Sequence, residues 1–181
     1  MRIYSRRGDD GTTSVRGGGR IPKSDAVVEA LGALDEAQAA LGVARAACDR
    51  QGGVADLLVG LERCLWTVMA QVGVAVGKRR RGSENEVTPA MVAALEAAID
   101  ERAARLGEID GFAVPGENPL AAALDVARTA VRRAERRLVA LDSAPGLVIA
   151  YVNRLSDLCW VLARASEDGY LPAREERDRP R

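Results

Sequence analysis

Apolar residues recur at intervals of three and four along five stretches of this chain, which is the spacing of a helix that buries one face. The second stretch has the clearest pattern: Val54, Leu58, Leu61, Leu65, Val68, Val72 and Val76. A capping residue followed by proline, at Thr88-Pro89 and Asn118-Pro119, predicts the starts of the third and fourth helices, and Ser24 predicts the cap of the first. The sequence therefore predicts one all-α domain, a five-helix bundle over residues 24–168.

The two ends of the chain lack this periodicity. Residues 1–23 are rich in glycine, hydroxyl and charged side chains, which predicts a long loop in which residues 2–4 could form a short strand. Residues 169–181 combine arginine and glutamate with two prolines, so they are predicted to be a disordered tail.

Composition argues against several classes of function. The 26 basic residues are balanced by 26 acidic residues, which argues against a general nucleic-acid binder. The sequence contains no run of 18 uncharged apolar residues, so no membrane span is predicted. The first residues also lack the apolar stretch that is typical of a secretory signal. Cys48, Cys64 and Cys159 form no CxxC pair and are expected to be reduced thiols in a cytoplasmic protein. The chain has no histidine, so a histidine-dependent triad or zinc site is excluded, and no metal-binding residues are predicted.

Five arginines and one glutamate lie within residues 128–137, in the middle of the fourth predicted helix. Arg128, Arg132 and Glu135 are spaced i, i+4 and i+7, so they share one stripe of that helix. Guanidinium groups suit bidentate binding of phosphate or carboxylate oxygens. A charged outer face stabilised by i,i+4 pairs is the alternative interpretation.

Two further segments are candidate sites. The glycines, threonine hydroxyls and exposed N–H groups of residues 8–14, GDDGTTS, could cradle phosphate, although a flexible terminus has the same composition and the Walker A spacing is absent. Asn153 and Asp157 lie inside an otherwise apolar helix, where both residue types are unfavourable without a specific partner. Interhelical bonding is the alternative explanation for that segment.

Four segments together resemble the PduO-type ATP:corrinoid adenosyltransferases, and the resemblance covers about residues 2–168. They are IYSRRGDDGTTS at 3–14, ALDEAQAALG at 33–42, GFAVPGENPLAAALDVARTAVRRAERR at 111–137 and YVNRLSDLCWVLAR at 151–164. The resemblance implies a five-helix bundle that forms homotrimers with each active site between two subunits. It also implies transfer of the 5′-deoxyadenosyl group of ATP to the cobalt of reduced cob(I)alamin, with release of triphosphate. The product could then pass to a cobalamin-dependent enzyme.

The resemblance also implies roles for individual residues. The N-terminal segment, residues 1–23, would be a nucleotide-binding loop that becomes ordered on binding, and magnesium would bridge the phosphate oxygens of ATP. The implied catalytic residues are Arg128 and Arg132 at the triphosphate, Asp35 pairing with Arg128 across the subunit contact, and Phe112 displacing the lower cobalt ligand. The implied nucleotide-binding residues are Gly8, Asp9, Gly11, Thr12, Thr13, Lys23, Glu135, Arg136 and Asn153.

The chain departs from the family pattern at four places. Val27 replaces an arginine, Glu117 replaces a small neutral residue, residues 35–38 read DEAQ instead of DELN, and the usual acidic segment is missing from residues 74–81. A second hypothesis is therefore a corrinoid or ATP carrier that keeps the bundle with weakened catalysis. A third is an interaction module that binds acidic partners through the arginine helix and the basic residues 78–81.

Overall fold

The computed structural model describes residues 3–15, 19–49, 53–76, 86–107, 111–142, 144–169 and 171–173. Five helices dominate it: α1 (Ala26–Ala46), α2 (Val54–Val76), α3 (Pro89–Ala103), α4 (Pro119–Val139) and α5 (Gly146–Ala165). The all-α five-helix prediction is confirmed. The basic residues 78–81 lie outside the described residues.

A small antiparallel hairpin precedes the helices and was not predicted. Strand β1 (Thr12–Ser14) pairs with β2 (Arg20–Pro22), with Thr13 opposite Ile21. The strand considered at residues 2–4 is not present at Ile3 and Tyr4, and Arg2 lies outside the described residues. Three-residue strands give too little alternation for the sequence pattern to show them.

The helix starts follow from capping. The Thr88 and Asn118 side chains accept hydrogen bonds from the N–H groups of Met91 and Ala121, as the cap-plus-proline pattern predicts. The predicted cap at Ser24 is wrong by one position, because the carboxylate of Asp25 accepts the N–H of Val27 at 2.9 Å and α1 begins at Ala26.

The helices pack in the spatial order α2, α1, α4, α5, α3, so α4 lies between α1 and α5. The core is built from small and branched side chains, and alanines in α1 and α4 allow these two helices to approach closely. Eleven leucine and valine side chains are fully buried along the α2–α1–α4–α5 stack: Leu34, Leu41, Leu58, Leu65, Val68, Leu124, Leu138, Val148, Val152, Leu155 and Leu158.

Two helices are long and apolar enough, by length and composition alone, to cross a membrane: residues 54–74 of α2 and the whole of α5. A core helix of a water-soluble bundle satisfies the same criterion. In α5, 56% of the relevant window is buried inside the bundle, compared with 33% in α2. The described residues therefore leave the outer face of α2, which includes Trp66, uncovered.

The last described residues contact a loop instead of ending free in solvent. Ala113 and Pro172 form an isolated antiparallel bridge, in which the N–H of Val114 donates to the carbonyl of Leu171 and the N–H of Ala173 donates to the carbonyl of Phe112, both at 2.7 Å. Residues 171–173 of the predicted disordered tail are thus hydrogen-bonded. Residues 170 and 174–181 lie outside the described residues.

Candidate functional site

The N-terminal hairpin is shaped by Asp10. Its carboxylate accepts the N–H of Thr12 at 2.9 Å and the Thr12 hydroxyl at 2.7 Å, and Arg20 of β2 donates to the same oxygen at 3.1 Å. These hydrogen bonds, those from Thr12 most of all, lower the pKa of Asp10. Asp10 and Arg20 therefore fix the turn that presents the predicted site residues, a role that the sequence analysis missed although an Asx turn before a threonine is a readable signal.

Lys23 closes this hairpin over its glycines. The N–H of Lys23 donates to the carbonyl of Gly11 at 2.9 Å, and a Cβ added to Gly8 would lie only 3.2 Å from the Lys23 ammonium nitrogen. Gly11 has a φ of 78°, a left-handed conformation that glycine adopts without strain. The structure thus brings together Gly8, Gly11, Thr12 and Lys23, with Asp9 exposed in the same turn. Such a concave turn with an ammonium group at its mouth is suited to an anion.

A groove of about 640 Å³ lies beside the hairpin, between α1 and α2. Thr13 and Asp35 line its polar edge, and Leu31, Trp66 and Met69 line its apolar part. Asp35 is exposed and forms no ion pair with the residues that the structure describes. The groove therefore places the predicted residues Thr13 and Asp35 on one open surface.

The arginines of α4 divide into two groups. Arg133 and Arg137 turn toward α1, where Arg133 pairs with Glu36 and Arg137 pairs with Glu29 at 3.2 Å. These two fit the interpretation of a charged outer face. Arg132 forms no side-chain hydrogen bond or ion pair with any described residue, and its carbonyl accepts from the Arg136 guanidinium at 3.0 Å. A guanidinium without a protein partner is available for a ligand.

Glu135 and Asn153 join this stripe to α5. The Asn153 amide donates to the Glu135 carboxylate at 2.8 Å, and the Asn153 carbonyl oxygen accepts from Arg154 at 2.8 Å. Arg154 in turn donates to Glu96 of α3 at 3.0 Å. The unfavourable mid-helix asparagine thus has specific partners, one of them on the neighbouring helix α4. The same bonds orient the Glu135 carboxylate next to Arg132.

Asp157 lies on α5 one turn beyond Asn153. Desolvation raises the pKa of its carboxyl above the usual value and Glu135 adds to the increase, whereas Arg154 and Arg132 act in the opposite direction. The Nη1 atom of Arg154 lies 4.0 Å from a carboxylate oxygen of Asp157 and 2.8 Å from the carbonyl oxygen of the Asn153 side chain, so these three residues adjoin on α5. The Asp157 side chain is 53% exposed, so its carboxyl is only partly desolvated.

Arg128 has a partner inside its own chain. Its Nε donates to Asp125 one turn earlier at 3.0 Å, and Asp125 is buried. The other oxygen of Asp125 accepts from Arg164 of α5 at 2.7 Å, and Arg164 also donates to Glu167 at 2.8 Å. Sequence reasoning missed these three residues. The available signal was an aspartate next to the apolar stripe of α4, between Leu124 and Ala127, where a charge needs a partner.

Phe112 projects into solvent and is 86% exposed. The loop that carries it is held by the bridge to residues 171–173, and it bends at Gly111 and Gly116, which have φ angles of 90° and 117°. The exposed ring makes little contact with the residues that the structure describes. It is free to contact a ligand or another protein surface.

The predicted residues form two separate groups within one chain. Gly8, Asp9, Gly11, Thr12, Thr13 and Lys23 lie in the hairpin with Asp35 nearby, whereas Arg128, Arg132, Glu135, Arg136 and Asn153 lie on α4 and α5. No hydrogen bond or ion pair joins the hairpin to α4 among the described residues. Asp35 and Arg128 are likewise not paired with each other in the chain.

Two departures from the family pattern have structural explanations. Val27, in the first turn of α1, is 6% exposed and packs in the bundle core. The amide of Gln38, in the DEAQ segment, donates to the carbonyl of Glu62 at 2.9 Å and so ties α1 to α2. Glu117 is exposed and forms no ion pair within the described part of the chain.

The thiols and possible metal ligands add no reactive centre among the described residues. Cys48, Cys64 and Cys159 are all free thiols, and burial raises the pKa of Cys159 to about 12. Within the described ranges, no group of three histidine, cysteine, aspartate or glutamate side chains could hold a metal ion.

Comparison with known proteins agrees with this geometry. Residues 3–166 match the family model described as cobalamin adenosyltransferase. The corrinoid adenosyltransferase of Citrobacter freundii is 39% identical over 174 residues, which covers 92% of this chain and 95% of that protein. The corrinoid adenosyltransferase of Mycobacterium tuberculosis is 37% identical over 184 residues, with coverage of 98% and 95%.

Solved structures extend the likeness to three dimensions. A variant PduO-type ATP:corrinoid adenosyltransferase from Lactobacillus reuteri, complexed with cobalamin and ATP, is 28% identical with a TM-score of 0.87 over 96% of this chain and 97% of that one. A second variant complexed with ATP gives a TM-score of 0.86 at the same identity. On the sequence match, the site geometry and the shared fold, the chain belongs to the cobalamin adenosyltransferase family.

Proposed function

We propose that this protein transfers the 5′-deoxyadenosyl group of ATP to the cobalt of reduced cob(I)alamin, giving adenosylcobalamin and triphosphate. One observation carries the proposal: on this family's fold, a glycine–threonine hairpin closed by Lys23 is accompanied by an arginine stripe in which Arg132 has no partner among the described residues. Both features suit phosphate oxygens. Solved relatives that hold ATP and cobalamin support the choice of substrates.

The chemistry needs little from the protein beyond binding. Cobalt(I) donates an electron pair to the 5′ carbon of ATP, the bond from that carbon to oxygen breaks, and triphosphate leaves with the bonding electrons. The nucleophile belongs to the substrate, so neither a histidine nor a protein nucleophile is required. The residues of this chain have to hold the triphosphate, align the two substrates and stabilise the charge that develops on the leaving group.

The nucleotide contacts follow from the two groups of residues. We assign the triphosphate to the hairpin residues Gly8, Asp9, Gly11, Thr12, Thr13 and Lys23. Arg132 stabilises the leaving triphosphate, because its guanidinium is exposed and its neighbour Arg136 bonds to the helix backbone. Glu135 and Asn153, already bonded to each other, present oxygen and amide groups to the nucleoside.

The corrinoid is assigned to the side of the site that carries Phe112. An exposed aromatic ring on a braced loop can pack against the flat corrin face and exclude water and the lower ligand of cobalt. A cobalt without that axial ligand accepts an electron more readily, so cobalt(II) becomes reducible by biological donors. Phe112 would thus act on the preparation of the nucleophile, and Arg132 on the transfer step.

A complete site needs more than one copy of the chain. The hairpin and α4 groups are not joined within the described part of one chain, Asp35 is unpaired there, and the outer face of α2 is uncovered. These features support a homotrimer in which Asp35 of one subunit pairs with Arg128 of the next. Light scattering at micromolar concentration tests the assembly, and a monomer would contradict it.

Magnesium would be held mainly by the phosphate oxygens of ATP. The described residues contain no group of acidic side chains that could form a cage for the ion. We therefore assign no protein ligand to the metal and route no step through it. The free thiols and the need for strongly reduced cobalt favour a cytoplasmic location.

One assay tests the proposed function. It measures the formation of adenosylcobalamin from ATP and chemically reduced cobalamin by the change in absorbance spectrum. The transferase predicts product and triphosphate in equal amounts. Tight ATP binding with no product would instead support the weakened carrier, the alternative motivated by Val27 and Glu117. Binding of an acidic protein with no affinity for ATP would support the interaction module.

A further inference from the structure

Four side chains of alternating charge form a line from the end of the bundle to the surface of α4. Glu167, Arg164, Asp125 and Arg128 are joined in that order by contacts of 2.8, 2.7 and 3.0 Å. The first three side chains are only 1%, 2% and 6% exposed, whereas the Arg128 side chain is 27% exposed. We infer that Asp125 is a positioning residue that fixes the Arg128 guanidinium, and that Arg164 and Glu167 hold Asp125 in place.

The bonding at Asp125 leaves it little freedom. One carboxylate oxygen accepts from Arg128 on the same helix and the other accepts from Arg164 on α5, so rotation of the carboxyl would break a bond at each end. A buried carboxylate that lost either guanidinium would be an incompletely compensated charge, which is strongly unfavourable. Asp125 is therefore held in one orientation by two different helices.

Arg164 is fixed in the same way from its other side. Its terminal amino group also donates to Glu167, just beyond the end of α5. Its Nε and the second Glu167 oxygen have no partner among the described residues, and both atoms are buried. Because Arg164 and Glu167 already share one hydrogen bond, a small shift would complete a bidentate ion pair between them. The anchor therefore lies inside the protein and does not depend on a bound ligand.

These contacts hold the guanidinium of Arg128 in one direction. Its Nε is occupied by Asp125, and its two terminal amino groups form no hydrogen bond with the residues that the structure describes. A guanidinium is planar, so fixing one nitrogen and the chain before it fixes the direction of the other two. Those two groups are the ones available to a substrate phosphate or to Asp35 of a neighbouring subunit. Catalytic groups need such support from residues that do not touch the substrate.

This inference rests on the proposed function, because Arg128 is assigned to the active site there. The test is a double-mutant cycle on the full-length protein with Asp125→Asn and Arg128→Ala. Rates of adenosylcobalamin formation are measured at saturating ATP and cob(I)alamin. Asp125→Asn should lower kcat roughly 10–100-fold, the range found for outer-shell partners in metal sites. In the Arg128→Ala background it should cause no further loss.

Two additional variants keep the test decisive if Asp125→Asn folds poorly. Glu167→Gln, at the far end of the line, should give a smaller loss in kcat that also disappears in the Arg128→Ala background. Leu58→Ala is the control for instability, because Leu58 is buried in α2, which packs on α1 and away from Asp125. It should lower Tm and leave kcat close to that of the unmodified protein.

The outcomes separate the positioning role from the proposed function. If Arg128→Ala is slow and Asp125→Asn is not, or if their losses add, the positioning role is wrong and the site assignment stands. If Arg128→Ala turns over normally, both the role of Arg128 and the inference fail. If the protein binds ATP without turnover, dissociation constants for ATP measured by calorimetry replace kcat in this cycle. The loss of affinity caused by Asp125→Asn should then disappear in the Arg128→Ala background.

Discussion

Arg132 and Arg137 lie five residues apart on α4, yet the structure gives their side chains different surroundings. The perturbation that separates them is alanine substitution at each position. Arg132 has no side-chain partner among the described residues, whereas Arg137 pairs with Glu29 of α1 at 3.2 Å. Both changes remove one guanidinium from the same helix, and alanine is the best helix former, so the helix itself should survive either change.

The two substitutions should change different quantities: Arg132→Ala the turnover rate, and Arg137→Ala the stability. Arg132→Ala should lower kcat by about 10²–10³, the equivalent of about 3–4 kcal/mol, if its guanidinium stabilises the leaving triphosphate. The free energy of unfolding should change by no more than about 0.5 kcal/mol, as for other surface substitutions. Arg137→Ala should cost about 0.2–1 kcal/mol of stability, because the lost ion pair is exposed. That loss lowers Tm by at most about 4 °C for a domain of this size.

The assay is the rate of adenosylcobalamin formation from saturating ATP and chemically prepared cob(I)alamin, with Tm measured on the same samples. Arg132→Ala should be slow with normal Tm, and Arg137→Ala should be active with slightly lowered Tm. Near-normal turnover in Arg132→Ala would remove that arginine from the mechanism. Equal loss of rate in both variants would show that the helix as a whole, and not one free guanidinium, carries the effect.

Three further expectations concern other parts of the molecule. Phe112→Ala should leave Tm unchanged and slow the reaction strongly from cobalt(II) but much less from cobalt(I); equal losses would contradict the role in reduction. Asp35→Ala and Arg128→Ala should couple by about 0.5–3 kcal/mol in a double-mutant cycle of turnover, whereas additive losses would refute pairing between subunits. Asn118→Ala should lower the free energy of unfolding by about 2 kcal/mol, or Tm by about 4–8 °C, because the helix cap and a 2.7 Å hydrogen bond to the Ser166 carbonyl are both lost. Asn118→Ser should recover part of that stability. An unchanged Tm in Asn118→Ala would contradict the role of the cap.

The sequence by itself determined the helices. Periodic apolar residues, two cap-plus-proline starts and abundant alanine act locally, so the five elements and their buried faces could be predicted from short windows. The arginine stripe could be predicted too, because residues four apart on a helix always share a face. The glycines and threonines of the N-terminal segment predicted a candidate anion-binding turn, and that role stays a prediction.

Only the tertiary structure decided which charges are free. Sequence spacing could not show that Arg133 and Arg137 meet carboxylates of α1 while Arg132 meets none, because the partners are about a hundred residues away. Nor could it show that residues 171–173 bond to the loop of Phe112. Long-range pairing depends on how whole helices pack, and no local pattern carries that information.

The buried line from Glu167 to Arg128 shows the same division. Asp125 was visible in the sequence as a charge beside an apolar stripe, but its partner Arg164 lies 39 residues further along the chain. The packing of α4 on α5 places the two side chains 2.7 Å apart, and burial makes that contact strong enough to orient a neighbour. The sequence determined which charged groups the helices carry, and the packing of the helices decided which of those groups are paired.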